Sequence, residues 1–300
     1  MDDLTRLARL SPPAGPVEMV LDTDTYNEVD DQFALCYALL SPERMHVQAV
    51  YAAPFTNARS TGPEDGMLKS RDEILRLLNK LDIPEKPPVY EGARCYMAAA
   101  DAPVDSPAAR DLIERARAMP KGECLYAVSI ACPVNIASAI LMAPDIADSI
   151  VVVWLGGQPH HFPYAREFNL SQDIFATRVL FDSGVPLVQI PCLGVASHLL
   201  TSIPEMREAI GGKNAVSDAL LELFSAYADD PFAWNKEIWD VSTIAWLNHA
   251  DWLPSTLEHA PMLTDDGHWA FDSRRHLMRV AYFCDRNAIF RDLYTKLANH

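Results

Sequence analysis

"VLDTDTYNEVDDQFAL", residues 20–35, sets five carboxylates, Asp22, Asp24, Glu28, Asp30 and Asp31, directly behind a short apolar run. Carboxylates crowded this closely repel one another and raise each other's pKa unless something positive sits among them. The stretch therefore asks for a cationic partner, and its flanks say what kind of scaffold holds it. Ahead of the acids, "VEMVLDTD" has the apolar continuity of a buried strand; behind them, "DDQFALCYALL" lines apolar positions 34, 35, 38 and 39 along one helical face.

The same alternation continues outward. "MHVQAVYAAP", "PPVYEGA", "CLYAVSIA", "SIVVVWLGG" and "PLVQIPC" read as strands. Between them "DGMLKSRDEILRLLNKL", "SPAARDLIERARAM", "PVNIASAILMAP" and "DIFATRVLFDSG" read as helices. Strand–helix repetition of this kind predicts an α/β fold with a mostly parallel central sheet, flanked by helices on both faces in the Rossmann-like manner. From about residue 200 the pattern turns helical, with "PEMREAI", "AVSDALLELFSAYA" and "IWDVSTIAWLNHA", then a hairpin around "TDDGHW" and a terminal helix "NAIFRDLYTKL". No internal repeat or long linker interrupts the chain, so residues 1–300 are expected to form one domain with a helical C-terminal part. Ligands of such sheets bind beyond the carboxyl ends of the strands, where "DTDTYNEVDD", "AAPFTNARS", "SIACPVN" and "LGGQPHH" fall.

Composition narrows the partners. Hydrophobic residues make up 49% and charged residues 22% of 300 residues, an ordinary globular balance. No stretch approaches the roughly 20 apolar residues of a membrane helix, and the N-terminus is acidic without an apolar core, so a cytoplasmic protein with no membrane partner is expected. The six cysteines are scattered, without a CxxC pair or a zinc-type cluster, which reads as free thiols in a reducing compartment. A formal charge of -16 argues against a nucleic-acid polymer or an anionic lipid surface, both of which are bound through clustered Lys and Arg. A small neutral ligand or a metal ion is compatible with it.

Several chemistries use acids in this arrangement. Helix capping accounts for Asp30 and Asp31 but leaves Asp22 and Asp24 unbalanced. An EF-hand loop needs Gly sixth, whereas counting from Asp22 puts Tyr26 fifth and Asn27 sixth. A phosphatase of the haloacid dehalogenase type also opens with Asp-x-Asp after a strand and would use Asp22 as nucleophile, but Tyr26 stands where that family carries Thr or Val. The remaining reading is a divalent cation held by oxygen ligands at the sheet edge, and a shell without nearby His or Cys suits Ca²⁺ better than Zn²⁺.

With strand, Asp-x-Asp, turn, Asp-Asp and helix in that order, the sequence resembles the inosine-uridine nucleoside hydrolases. The resemblance continues through "YAAPFTN", "PPVYEGA", "SIACPVNIASA", "WLGGQ", the "EFN" triplet at Glu167 to Asn169, Asp173, "DSGVPL" and a late helix carrying Asp240. It implies an enzyme of the nucleoside hydrolase fold that cleaves the N-glycosidic bond of a ribonucleoside and binds Ca²⁺ through Asp24, Asp31, Asp240 and the backbone carbonyl of Ile130. Asp24 would also serve as general base on a calcium-bound water. Asp30, Asn57, Glu167 and Asn169 would hold the ribose hydroxyls, and the family association implies a homo-oligomer.

Three features depart from the family's pattern. The interval between Asp-x-Asp and Asp-Asp is longer by two residues, so Thr25 to Val29 form a larger loop that can bring Tyr26, Asn27 or Glu28 over the site. His161 stands near a position where the family commonly has Asn, as a hydroxyl ligand, an acid or an ordinary loop histidine. Trp239 precedes Asp240 where a branch of the family has a leaving-group His. An indole cannot donate that proton, but it can stack on a purine, which is the origin of the expected purine preference; it can equally be a core aromatic. A noncatalytic ribosyl-binding protein on the same fold is the other alternative.

Overall fold

Apolar runs without alternation are what a strand shows when both of its faces are covered. In the computed structural model, which describes residues 1–300, α1 (Asp3–Leu10) precedes β1 (Val17–Thr23), and the chain continues through α2 (Asp31–Leu39), β2 (Met45–Ala52), α3 (Pro63–Lys80) and β3 (Val89–Glu91). Next come α4 (Pro107–Ala118), β4 (Leu125–Ser129), α5 (Val134–Met142), β5 (Ile150–Leu155), α6 (Phe168–Gln172), α7 (Ile174–Asp182) and β6 (Leu187–Ile190). The remainder holds β7 (Leu200–Thr201), α8 (Ile203–Ile210), α9 (Ala215–Ala226), β8 (Lys236–Glu237), α10 (Val241–Asn248), β9 (Ser255–His259), β10 (Met262–Leu263), β11 (Trp269–Ala270), β12 (Leu277–Ala281) and α11 (Arg286–Ala298).

Eight strands form one sheet in the order β3-β2-β1-β4-β5-β6-β12-β9, parallel throughout except for the antiparallel β9 at one edge. Successive strand residues point to opposite faces. Met19, Leu21, Val128, Val151 and Val153 therefore join one apolar core, while Val20, Ala127, Val152 and Trp154 join the other. Helix starts carry their local signals: Ser106 accepts from the Ala109 N–H ahead of Pro107 in α4, and Asp173 accepts from the Ala176 N–H in α7.

The strands and helices expected before residue 200 are present, as is the hairpin at "TDDGHW", whose arms are β10 and β11. The C-terminal part is less purely helical than expected, because β9 and β12 extend the main sheet beyond β6. "STLEH" in β9 is a largely exposed edge, so it lacks the apolar signature of a covered strand. The short α1, capped by Asp2, was also not foreseen from the acidic N-terminus.

Gly66 decides how closely α3 approaches the loop after β2. A Cβ there would lie 2.1 Å from the Phe55 carbonyl oxygen and 2.9 Å from its nitrogen. Both are backbone atoms, which cannot swing aside as a side-chain tip can. Alanine normally gains about 1 kcal/mol over glycine inside a helix, while forced overpacking costs about 1–3 kcal/mol. Gly66→Ala is expected to be net destabilising, read as a lower urea midpoint at unchanged slope; a raised midpoint would mean that the β2–α3 loop yields freely.

Candidate active site

The chain leaves β1 toward β2 and β3 on one side, then returns to β4, β5 and β6 on the other. A crevice therefore opens between the carboxyl ends of β1 and β4. Asp24 and Ile130 each stand one residue beyond those ends, and the Ile130 N–H donates to the Asp22 carbonyl at 2.9 Å. The strand ends at Thr23 and a turn starts at Asp24, whose carbonyl accepts from the Asn27 N–H at 2.7 Å, so the two acids of Asp-x-Asp are not held to one sheet face. Asp22 points with Val20 toward α5, where its carboxylate accepts from Asn135 Nδ2 at 2.7 Å and Ser129 Oγ at 3.0 Å. Burial raises its pKa to about 7 despite those bonds. With both oxygens bonded to Asn135 and Ser129, Asp22 offers no free nucleophile, which removes the structural basis of the phosphatase alternative.

Asp24 takes the other course. It lies beneath the cavity wall, close enough to feel the charges of Asp30 at the N-terminal cap of α2, Asp31 in its first turn, and Asp240 at the N-terminal cap of α10. The side chains of Asp30 and Asp240 make no capping bond, so simple capping does not account for them. Both helices still point their positive ends at the acids, which helps to keep negative charge there. Ligand oxygens of Asp30, Asp31 and Asp240 lie within 4.8 Å of one another. Asp31 also accepts from Thr23 Oγ1 at 2.5 Å.

Burial first, and then the charges of Asp31 and Asp30, push the Asp24 carboxyl well above its ordinary value. Asp31 and Asp240 are shifted the same way for the same reasons. Burial raises Asp30 to about 7, with Glu28 adding to the shift and Lys236 opposing it. Both Asp24 oxygens are buried without a hydrogen-bond partner. Such orphaned oxygens are costly unless a cation or proton meets them, and an oxygen-only set of buried acids fits a hard divalent cation. The Ile130 carbonyl accepts only one long bond, from Asn169 Nδ2 at 3.3 Å, and keeps a second lone pair.

Above the acids lies a cavity of about 290 Å³, whose wall includes Asp30, Asp31, Asp240, Ile130, Glu167, Asn169 and Trp239. Glu167 caps α6, accepting from the Asn169 N–H at 2.8 Å and the Leu170 N–H at 3.2 Å. It also accepts at 2.8 Å from the N–H of Gly157, which at φ 70° adopts the left-handed turn glycine favours. Burial raises its pKa, with those N–H groups opposing. Asn169 donates its NH₂ to the Ile130 and Leu155 carbonyls, leaving its oxygen for the cavity. Trp239 is half-buried, one side against the apolar core and the other on the wall. The longer loop contributes Asn27 and Glu28, and the Glu28 carboxylate pairs with Lys236 at 2.5 Å.

Two expected site residues lie elsewhere. Asn57 does not line the cavity, since its amide is spent on Asn27 and on the Arg59 N–H, one layer behind the wall. His161 is exposed on a separate cavity with His160, Glu258 and Phe271, because the turn after Gly157 carries it toward β12. Gln158, Phe168, Cys192, Leu193 and Lys236 are site residues the sequence reading did not name. The rule of strand carboxyl ends could have found Gln158 and Cys192, just past β5 and β6. Nothing local marks Lys236, which pairs across the whole fold.

The solved structures similar to this chain include a purine-preferring ribonucleoside hydrolase from Gardnerella vaginalis, 21% identical, with TM-score 0.76 over 94% of this chain and 98% of that one. An inosine-uridine preferring nucleoside hydrolase from Bacillus anthracis is 18% identical, with TM-score 0.70 over 95% and 100%. An effector protein is 16% identical, with TM-score 0.66 over 99% and 97%. At these identities the likeness speaks for the fold alone. Among curated proteins, none matches the sequence significantly. The sequence model for inosine-uridine preferring nucleoside hydrolases, however, matches residues 19–290, and the chain belongs to that family of enzymes.

Proposed function

We propose that this protein hydrolyses the N-glycosidic bond of ribonucleosides with a preference for purines, using Asp24 as general base beside a bound Ca²⁺. The observation that carries the reading is the buried set Asp24, Asp30, Asp31 and Asp240, with both Asp24 oxygens unpartnered, beneath a cavity sized for one small ligand. Asp24, Asp31, Asp240 and the Ile130 carbonyl would hold the ion. Asp30 belongs to the same close triple, but the Lys236 ammonium already gives it a positive neighbour, so we assign it to a ribose hydroxyl. Calcium is favoured over magnesium by the number of protein oxygens, three carboxylates and a carbonyl, where magnesium usually takes one or two carboxylates and keeps its waters. When bound, the cation supplies a lowered pKa to a water molecule beside Asp24.

In the reaction, a water oxygen bonds to the anomeric carbon, Asp24 takes the water's proton, and the glycosidic electron pair leaves with the base. The ribosyl transition state carries positive charge, so the surrounding carboxylates stabilise it more than the neutral substrate. Glu167 and the Asn169 oxygen accept from ribose hydroxyls. Glu167 does so from a carboxylate fixed by three backbone N–H groups, which is useful preorganisation. Trp239 faces the cavity at its rim and would stack on the departing base, favouring purines by area and by ease of ring protonation. The six free cysteines support residence in a reducing cytoplasm, and the family resemblance supports a homo-oligomer. No helix is long and apolar enough to cross a membrane.

Asp24→Asn should fold but lose at least ~10²-fold in turnover on its best nucleoside, because it removes a metal charge and the base at nearly constant shape. Near wild-type turnover in a reducing-sugar assay would move the base elsewhere.

Stability of the metal-free protein should run against the usual acidic trend. Folded-state carboxyl pKa values here are raised, to about 7 for Asp22 and Asp30. The folded form therefore holds protons that the unfolded chain has released, and stability is lost as pH rises from about 4 through about 7. With chelator, Tm should fall between about pH 5 and about pH 8, and Ca²⁺ should remove most of that fall while Mg²⁺ removes less. Superimposable Tm profiles with and without chelator would count against the metal site.

Trp239→Ala should depress kcat on inosine far more than on p-nitrophenyl riboside, whose leaving group needs no activation. Equal losses on both would reduce Trp239 to support of the α10 terminus.

A further inference from the structure

We infer that Asn27, in the loop two residues longer than the family's usual interval, contacts the substrate. It donates a side-chain hydrogen bond to an acceptor atom that carries lone pairs but no proton. This inference rests on the ribosidase reading of the same cavity and names a residue which that reading does not use.

The orientation of Asn27 follows from a relay of bonds. The Arg59 backbone N–H donates to Asn57 Oδ1 at 2.8 Å, which fixes which way the Asn57 amide faces. Asn57 Nδ2 then donates to Asn27 Oδ1 at 2.6 Å and to the Asn27 carbonyl at 3.3 Å. The Asn27 oxygen is thereby turned away from the cavity and its NH₂ group is left over. Asn27 is only 8% exposed, lines the cavity, and has no protein acceptor for that NH₂. That NH₂ is open to the cavity rather than sealed in the interior, and a ligand that displaced water from it without accepting its hydrogen bond would lose free energy.

The rest of the wall explains why a donor is wanted. Glu28, Asp30, Asp31, Glu167 and Asp240 are carboxylates, suited to accept from hydroxyls. Of the two other side-chain amides on the wall, Asn169 gives its NH₂ to the Ile130 and Leu155 carbonyls, and Gln158 is held at both ends, its NH₂ donating to the Arg166 carbonyl at 3.3 Å and its oxygen accepting from the Leu193 N–H at 3.0 Å. Ribose hydroxyls can donate to the acids. A furanose ring oxygen, or a carbonyl or aza atom of a base, cannot, and Asn27 is the wall amide whose NH₂ meets no protein acceptor. The loop is held on both flanks, by Asn57 on one side and by the Arg59–Glu28 carbonyl bond (3.1 Å) with the Glu28–Lys236 pair on the other. The donor is thus preorganised.

The test uses the full, Ca²⁺-loaded chain and measures kcat/KM on inosine and p-nitrophenyl riboside, with Tm as the folding control. Asn27→Ala should lose about 10-fold to about 100-fold, the range for an unmet buried hydrogen bond. Asn57→Asp should lose a comparable amount although Asn57 is off the wall: with the Arg59 N–H still on one oxygen, the other turns the Asn27 NH₂ toward itself and puts Oδ1 into the cavity. The double variant should be no worse than either single one, since both remove the same donor. Loss on both substrates places the acceptor on the ribosyl ring, and loss on inosine alone places it on the base; either supports the inference. Should Asn27→Ala fail to fold, Asn57→Asp and Asn27→Ser carry the same comparison. Single variants that are folded and within about twofold of an active wild type would overturn it. A wild type inactive on both substrates would instead sink the ribosidase reading, and the inference with it.

Discussion

Four carboxylates brought into one buried crevice are the constraint around which this structure is arranged. Asp24, Asp30 and Asp31 come from one short stretch of chain and Asp240 from another more than 200 positions away, and each alone would be costly to remove from water. Together they raise one another's pKa, and the protein answers with local relief rather than with clustered bases. The helix termini of α2 and α10 point at them, Thr23 donates to Asp31, and a single ammonium, Lys236, stands beside Asp30. None of these neutralises Asp24, and that residual imbalance is the physical reason for assigning a divalent cation to the place.

Around the acids, the polar groups divide into those already committed to the scaffold and those still free. Asp22 looks as acidic as Asp24 in the sequence, yet its two oxygens are taken by Asn135 and Ser129. Glu167 is held by three backbone N–H groups, and the NH₂ groups of Asn169 and Gln158 are held by backbone carbonyls. Those bonds fix geometry and leave defined acceptor atoms facing inward. Asp24 and the Asn27 amide stand out because the scaffold has not satisfied them. In an interior where buried polar groups are nearly always paired, an unspent atom on a rigid frame marks where a ligand completes the structure.

Much of this was legible in the chain itself. The covered strands announced themselves through uninterrupted apolar runs, because a strand buried on both faces has no solvent side to alternate with. The acids at the end of β1, followed at once by α2, placed a site at the sheet's carboxyl edge, and the motif order through Glu167, Asn169 and Asp240 identified the family. Where reading failed, the missing information was long-range. The edge strand β9 is polar, so no local pattern separates it from a loop. His160 and His161 are neighbours in sequence, but only the turn after Gly157 decides that the first is enclosed by Glu258 and Gln189 while the second faces solvent.

The sequence by itself determined the alternating α/β class, the crowding of acids behind β1, and a net charge of -16 that argues against polyanionic partners. These depend on periodicity and residue type, which are local properties. Tertiary structure alone decided which acid of Asp-x-Asp joins the acidic crevice, since Asn135 and Ser129 claim the Asp22 carboxylate while Asp24 lies past the end of β1. It also moved Asn57 one layer behind the wall, and it joined Glu28 to Lys236 across 208 positions of chain. A side chain's destination is set by what packs opposite it, and that neighbour is supplied by the folding of distant segments.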